Sequence, residues 1–188
     1  MTRDAFGGTL AAWRIDANAT GASTSWAIVS GRLDGHSAGA GTDAVVDTFR
    51  GTDMAAVALM RVSPLTGVSG YRAAGPIVRA TSIDFADNLF YFCMVDPPSG
   101  VAVLARYDVE TRVGSGQGFT ELGRAPMPSD LSGFVTVTLC ARGTTITCEI
   151  PAIGVRITGT DARYADGQAG MRVMQADVEV EWFEIWAP

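Results

Sequence analysis

Three glutamates stand within six residues near the end of the chain, in Glu179-Val-Glu181-Trp-Phe-Glu184. Carboxylates this close together are the raw material of acid–base and nucleophilic chemistry. The same spacing also describes a strand with one solvated acidic face, since side chains alternate along a strand. A regular strand puts Glu179 and Glu184 on opposite faces, so joint action by that pair requires a β-bulge. A second set of residues suits binding. Arg79, Tyr91 and Arg106 lie on strand-like segments, and Trp182 and Trp186 follow on the last one. Aromatic faces pack on the apolar face of a sugar ring, while guanidinium donors meet hydroxyls. The competing reading is core packing. Leu89, Tyr91 and Cys93 alternate with Phe90, Phe92 and Met94, so both faces of that segment must be covered, by core or by a partner.

Most other chemistries are excluded by composition. All 14 basic residues are arginine and none is lysine, which removes Schiff-base chemistry, an amine general base and a phosphate-loop lysine. The single histidine, His36, excludes a histidine-based zinc cluster. It sits in Gly35-His36-Ser37-Ala38-Gly39, which reads as a solvated, glycine-rich loop. Asp84, Asp87, Asp161 and Asp166 fall in loops where calcium ligands occur, but no ligand spacing supports a site, and turn aspartates shape turns. No cofactor is expected. The net charge of −6 argues against nucleic acid and against an anionic membrane surface.

The chain has 188 residues, 47% of them hydrophobic, which is enough for one packed core. Its start has no basic region followed by an apolar stretch, and no apolar run reaches the length of a membrane span. The expectation is a complete protein without a signal peptide, made in the cytoplasm. Abundant Arg, Ala and Gly beside absent lysine and only two asparagines, Asn18 and Asn88, are the bias of a GC-rich genome.

The elements that would position these residues are short strands. The best-patterned stretch is 134–150, where Val135, Val137 and Leu139 alternate with Phe134, Thr136 and Thr138, and Ile146, Cys148 and Ile150 alternate with Thr145, Thr147 and Glu149. Gly143 between them supplies a hairpin turn. A turn at Arg142-Gly143 pairs Cys140 with Thr145 and leaves Cys148 on the opposite face, so those two cysteines cannot bridge. With Cys93 the cysteine count is odd, and buried free thiols, as in a reducing compartment, are expected. Further strands are expected at 26–33 (two, around Ser30-Gly31), 44–49, 54–62, 75–80, 89–95, 101–107, 119–122, 155–158, 168–173 and 178–186. Residues 34–42 read as a loop, and 161–167 as a turn-rich segment with room for one helical turn.

The order of these pieces resembles the concanavalin A-like lectin/glucanase superfamily, the laminin-G-type jelly rolls. The likeness lies in Trp26-Ala-Ile-Val-Ser-Gly31-Arg-Leu33, Ala74-Gly-Pro-Ile-Val-Arg79-Ala80, Asn88-Leu-Phe-Tyr91-Phe, Val101-Ala-Val-Leu104-Ala-Arg106, the 134–150 hairpin, Tyr164-Ala-Asp-Gly167-Gln-Ala-Gly170-Met-Arg-Val and the final strand. It implies an all-β fold: a two-sheet antiparallel β-sandwich, one jelly-roll domain over 1–188. Pro76 departs from the pattern and implies that its strand lies at an edge. Retaining glucanases of the superfamily carry a Glu-x-Asp-x-x-Glu strand that Glu179, Glu181 and Glu184 resemble, with Glu181 in place of the aspartate. Their chemistry needs a nucleophile and an acid about 5–5.5 Å apart. Here the motif reads as the closing edge of the domain. The favoured expectation is a non-catalytic module of a bacteriophage virion, tail, fibre or capsid decoration. It would form a homo-oligomer with other virion proteins and serve assembly or host-surface glycan attachment. The alternatives are a carbohydrate-active enzyme or binding module using the Glu179/Glu181/Glu184 strand, and an intracellular sugar-binding or scaffold protein.

Overall fold

The computed structural model describes residues 2–4, 12–15, 24–38, 42–46, 49–68, 70–83, 89–108 and 119–187. Along them run β1 (Thr2–Asp4), β2 (Trp13–Ile15), β3 (Thr24–Val29), β4 (Arg32–Ser37), β5 (Thr42–Val46), β6 (Met54–Pro64), β7 (Ala73–Ser82), β8 (Leu89–Asp96), β9 (Val101–Tyr107), β10 (Phe119–Pro126), β11 (Val135–Arg142), β12 (Thr145–Ile150), β13 (Val155–Thr160), β14 (Gln168–Met174) and β15 (Ala176–Trp186). Two antiparallel sheets result. The first has the order β13-β12-β11-β6-β15-β4-β3, with β1 beside β15; the second has β10-β9-β8-β7-β14-β5-β2. The expected all-β sandwich is present.

Alternation decides which face each strand buries. In β6 the even positions from Met54 to Val62 are buried and the odd ones from Ala55 to Arg61 are not. Leu33, Met60, Val137, Leu139, Ile146, Val180 and Phe183 from the first sheet meet Val78, Tyr91, Leu104 and Met171 from the second. The outward face of the second sheet is buried too. Ile77, Phe90, Phe92, Met94, Val103, Tyr107 and Phe119 form a second apolar cluster there. Within it, Arg172 Nη1 lies 2.8 Å from both carboxylate oxygens of Asp43. The same guanidinium stands 4.5 Å from the Tyr107 ring centre. A buried ion pair of this kind persists only with such close partners.

Several expectations are corrected. The hairpin turns at Gly143-Thr144, with Arg142 opposite Thr145 and Cys140 opposite Thr147; Gly143 has φ 55°. The parity argument survives this shift, because Cys148 still points away from Cys140. It points into the core, however, where Cys93 arrives from the facing sheet, and the two form a disulfide with Cα atoms 5.5 Å apart. Only Cys140 is a free thiol. Pro76 is not on an edge strand: β7 lies between β8 and β14. The register of β7 with β8 passes from Ala74 to Ile77, skipping Gly75 and Pro76, which is where a residue without an N–H is tolerated. Residues 34–37 belong to β4 and not to a loop. Gly35 there is a packing glycine: a Cβ would lie 2.5 Å from the Trp26 ring. Residues 161–167 contain no helical turn; the one among the described residues is a 3-10 turn at Pro151–Ile153.

The cross-sheet disulfide gives a direct prediction. Alkylation of the denatured protein labels one cysteine without reductant and all three with it. Cys148→Ala costs about 2–5 kcal/mol of unfolding free energy, read from urea denaturation. Labelling of all three thiols without reductant would contradict the bridge.

Candidate functional site

Arg79, Tyr91 and Arg106 are brought together at one end of the sandwich. Val78, Tyr91, Arg106 and Thr120 form a cross-strand row. Arg79 sits at a bulge in β7 with φ 52°, a backbone state costing a non-glycine residue on the order of 1–3 kcal/mol. The bulge aims its guanidinium at the other sheet's connections. Nε donates to the Thr52 carbonyl at 2.7 Å, Nη1 to the Tyr164 carbonyl at 3.0 Å and Nη2 to Asp53 at 3.4 Å. The Tyr91 hydroxyl donates to Asp161 at 2.6 Å and accepts the Tyr164 N–H at 3.1 Å. Arg106 donates to Asp108 at 2.8 Å and to Asp161 at 2.5 Å. Gly167 closes the loop against Gly51 through a pair of backbone bonds of 2.9 and 3.0 Å. A Cβ at Gly167 would lie 2.4 Å from the carbonyl carbon of Arg79.

These three side chains thus hold the 161–167 loop. Burial and the Asp161 carboxylate push the Tyr91 hydroxyl up to about 12. Burial alone would raise the Asp161 carboxyl, but the Tyr91 hydroxyl, the Arg163 N–H and Arg106 outweigh it and hold the group below its ordinary value of 3.8. Asp166 pairs with Arg50 at 2.7 Å. Asp84 and Asp87 lie outside the described residues. No cluster of three or more potential metal ligands occurs among the described residues.

Trp182, Trp186 and the glutamates lie elsewhere, on the outward face of the first sheet. The β15–β6 register passes from Val180 opposite Met60 to Trp182 opposite Leu59, leaving Glu181 as the extra residue of a β-bulge. That bulge puts Glu179, opposite Arg61, and Glu184, opposite Val57, on the same face. The strand is not an edge: β6 flanks it on one side and β4 and β1 on the other. Glu179 is engaged by Arg61 and by Arg32, the latter at 3.4 Å. Both guanidinium groups stand 5.1 Å from the Phe134 ring centre. The Trp186 Nε1–H donates to Glu184 at 3.2 Å, while 45% of Trp186 remains exposed. Trp182 and Trp186 share the face four residues apart, or about 13 Å along the strand.

The sequence reading missed a polar cluster beside Glu179. Asp34 and His36 on β4 lie opposite Glu179 and Asp177 on β15. His36 Nδ1 is 2.6 Å from Asp177 Oδ1, so the histidine is a strand residue with a partner. Burial, and then the charge of Glu179, raise the Asp34 carboxyl. With Ser25, Ala27 and Ser63 these residues line a pocket of about 390 Å³. The available signal was the alternation of Arg32, Asp34 and His36 with Leu33, Gly35 and Ser37, which Gly35 disguised as loop.

No protein-family model matches the sequence, and no curated protein sequence matches it. Solved structures do match. The carbohydrate-binding module CBM66 from Bacillus subtilis superposes with a TM-score of 0.69 at 15% identity, over 90% of this chain and 91% of that one. This chain has the concanavalin A-like jelly-roll fold. The jelly roll is shared with the CBM2 module of the evolved Dit of Lactobacillus casei BL23 phage J-1, at a TM-score of 0.60 and 10% identity over 98% of this chain and 93% of that one. It is shared also with a Bacillus licheniformis β-glucanase, at a TM-score of 0.63 and 6% identity over 100% and 98% of the two chains. At such identities the likeness is one of fold.

The end network predicts a pH dependence. Asp161 is held below its unfolded value, so its stabilisation is present above about pH 4 and is lost as pH falls through the folded value. Asp161→Asn costs about 1.5–3 kcal/mol at pH 7 and progressively less as the pH falls below 4, measured by urea unfolding at neutral pH and through the acid range. An equal cost throughout would remove the carboxylate from the account.

Proposed function

We propose that this jelly roll is a non-catalytic carbohydrate-binding module, carried on a bacteriophage particle as a tail, fibre or capsid-decoration component and attaching it to host-surface glycan. The observation that carries the reading is the outward face of β15. Trp182 and Trp186 stand there on a rigid strand, and the bond from Trp186 to Glu184 fixes the indole while leaving much of it exposed. Rigid aromatic side chains on a sheet bind at low entropic cost and match the apolar faces of sugar rings. Similarity to a carbohydrate-binding module and to a phage Dit module supports both halves of the proposal. The buried disulfide suits a protein that works outside a reducing cytoplasm. A homo-oligomer on the particle would present several such faces at once and raise avidity.

A second reading has one observation in its favour. The bulge at Glu181 places Glu179 and Glu184 on one face, as a retaining glycosidase pair requires, and a β-glucanase shares the fold. Against it, Glu179 already serves two arginines, and Glu184 is engaged by the tryptophan beside it.

Two measurements separate the readings. Binding to bacterial cell-wall glycans is expected to weaken by about 2 kcal/mol, roughly thirtyfold, in Trp186→Ala, with Trp182→Ala also weaker. Undiminished binding in both would sink the proposed surface. Wild-type protein is expected to release no reducing sugar from β-glucan or cell-wall polysaccharide. Release that disappears in Glu179→Gln and Glu184→Gln would establish the enzyme instead.

A further inference from the structure

A cavity of about 310 Å³ opens beside Trp186, where the ends of β11 and β15 meet the start of β6. Cys140, Ala55 and Trp186 form one cross-strand row of its lining. Met54 and Ala141 add apolar surface, and Asp53 and Arg142 are its charged members. The charges are unequal in their commitments. Asp53 accepts the Gly143 N–H at 2.8 Å and faces Arg79 at 3.4 Å. Of the carboxylates nearby, Glu149 pairs with Arg156 at 3.3 Å and Glu184 accepts the Trp186 Nε1–H at 3.2 Å. Arg142 has no ion-pair partner among the described residues. An acidic chain of net charge −6 thus presents a solvent-exposed guanidinium without an ion pair among the described residues, next to an exposed indole and an apolar hollow.

We infer that this cavity is a subsite for an acidic sugar unit, its ring against Trp186 and its carboxylate or phosphate paired with Arg142. A neutral hydroxyl adds no ion pair, whereas a planar guanidinium meets either anion through two parallel charge-assisted hydrogen bonds. The wall of Met54, Ala55 and Ala141 fits the apolar side of the ring or a small alkyl substituent. The inference rests on the carbohydrate-binding reading and narrows its ligand to anionic glycans.

Cys140 supplies a reporter, since the half-buried free thiol lies in the cavity lining. The test compares trigalacturonic acid, its carboxyl-reduced neutral trimer and galactose 6-phosphate. The readouts are calorimetric affinity and the rate of Cys140 alkylation by iodoacetamide in the full-length protein. The acidic trimer is expected to bind about tenfold or more tighter than the neutral one, the worth of one charge-assisted contact. It is also expected to slow alkylation of Cys140. Arg142→Gln, an exposed substitution, should bring the acidic trimer down to the affinity of the neutral one. Stronger protection by the phosphate sugar supports the subsite and identifies phosphate as the anion. Equal affinity for both trimers, unchanged in Arg142→Gln, overturns the subsite while the carbohydrate reading stands. Acid-selective binding that leaves Cys140 unprotected places the anion elsewhere and also overturns it. Absence of binding by any of the three, with cell-wall glycans bound normally, overturns the subsite alone; failure of those glycans as well overturns both.

Discussion

One guanidinium holds the end of this sandwich together. Arg79 leaves its strand in a left-handed backbone state and spans from the second sheet to the connections of the first. The strain is offset by three acceptors, the Asp53 carboxylate and two backbone carbonyls, of which the Tyr164 carbonyl is buried. Around it, Tyr91 and Arg106 converge on Asp161, and Gly167 packs where no side chain fits. Without that hook the Tyr164 carbonyl would lose its side-chain anchor from β7. Asp53, which positions the β11–β12 turn, would also lose its counter-charge.

The consequence for function is a division of labour between faces. The second sheet is apolar on both sides, and β8 is buried along nearly its whole length. Its polar groups are committed to internal contacts, as with Arg172 and Asp43. The outward face of the first sheet differs. Its residues include small, hydroxyl-bearing and charged side chains beside Val57, Leu59, Trp182 and Trp186, and the bulge at Glu181 turns the last strand so that both tryptophans and two glutamates face the same way. A single unpaired residue in β15 therefore decides which side chains share a surface.

The strands themselves were legible because alternation and glycine turns are local signals. Residues 134–150 show this well: the turn lies one residue later and the pairing shifts by two, so each side chain kept its face. The disulfide was not legible, since Cys93 and Cys148 are 55 residues apart and meet only when the two sheets pack. His36 was obscured by Gly35, whose missing side chain makes room for Trp26 and does not mark a loop. Arg79, Tyr91 and Arg106 were recognisable as a group, but their partners, the Thr52 and Tyr164 carbonyls and Asp161, come from distant connections that a residue pattern does not locate. The need for a bulge in β15 was readable; its presence was a matter of pairing with β6.

The most direct test follows the four indole N–H resonances of Trp13, Trp26, Trp182 and Trp186, together with the Nε–H resonances of Arg79 and Arg106, by NMR during titration with bacterial cell-wall glycan fragments. The account predicts that Trp182 and Trp186 shift on saturation while Trp13, Trp26, Arg79 and Arg106 stay in place. Shifts at Arg79 and Arg106 with Trp182 and Trp186 unmoved would contradict it, and would move the binding surface to the end of the sandwich.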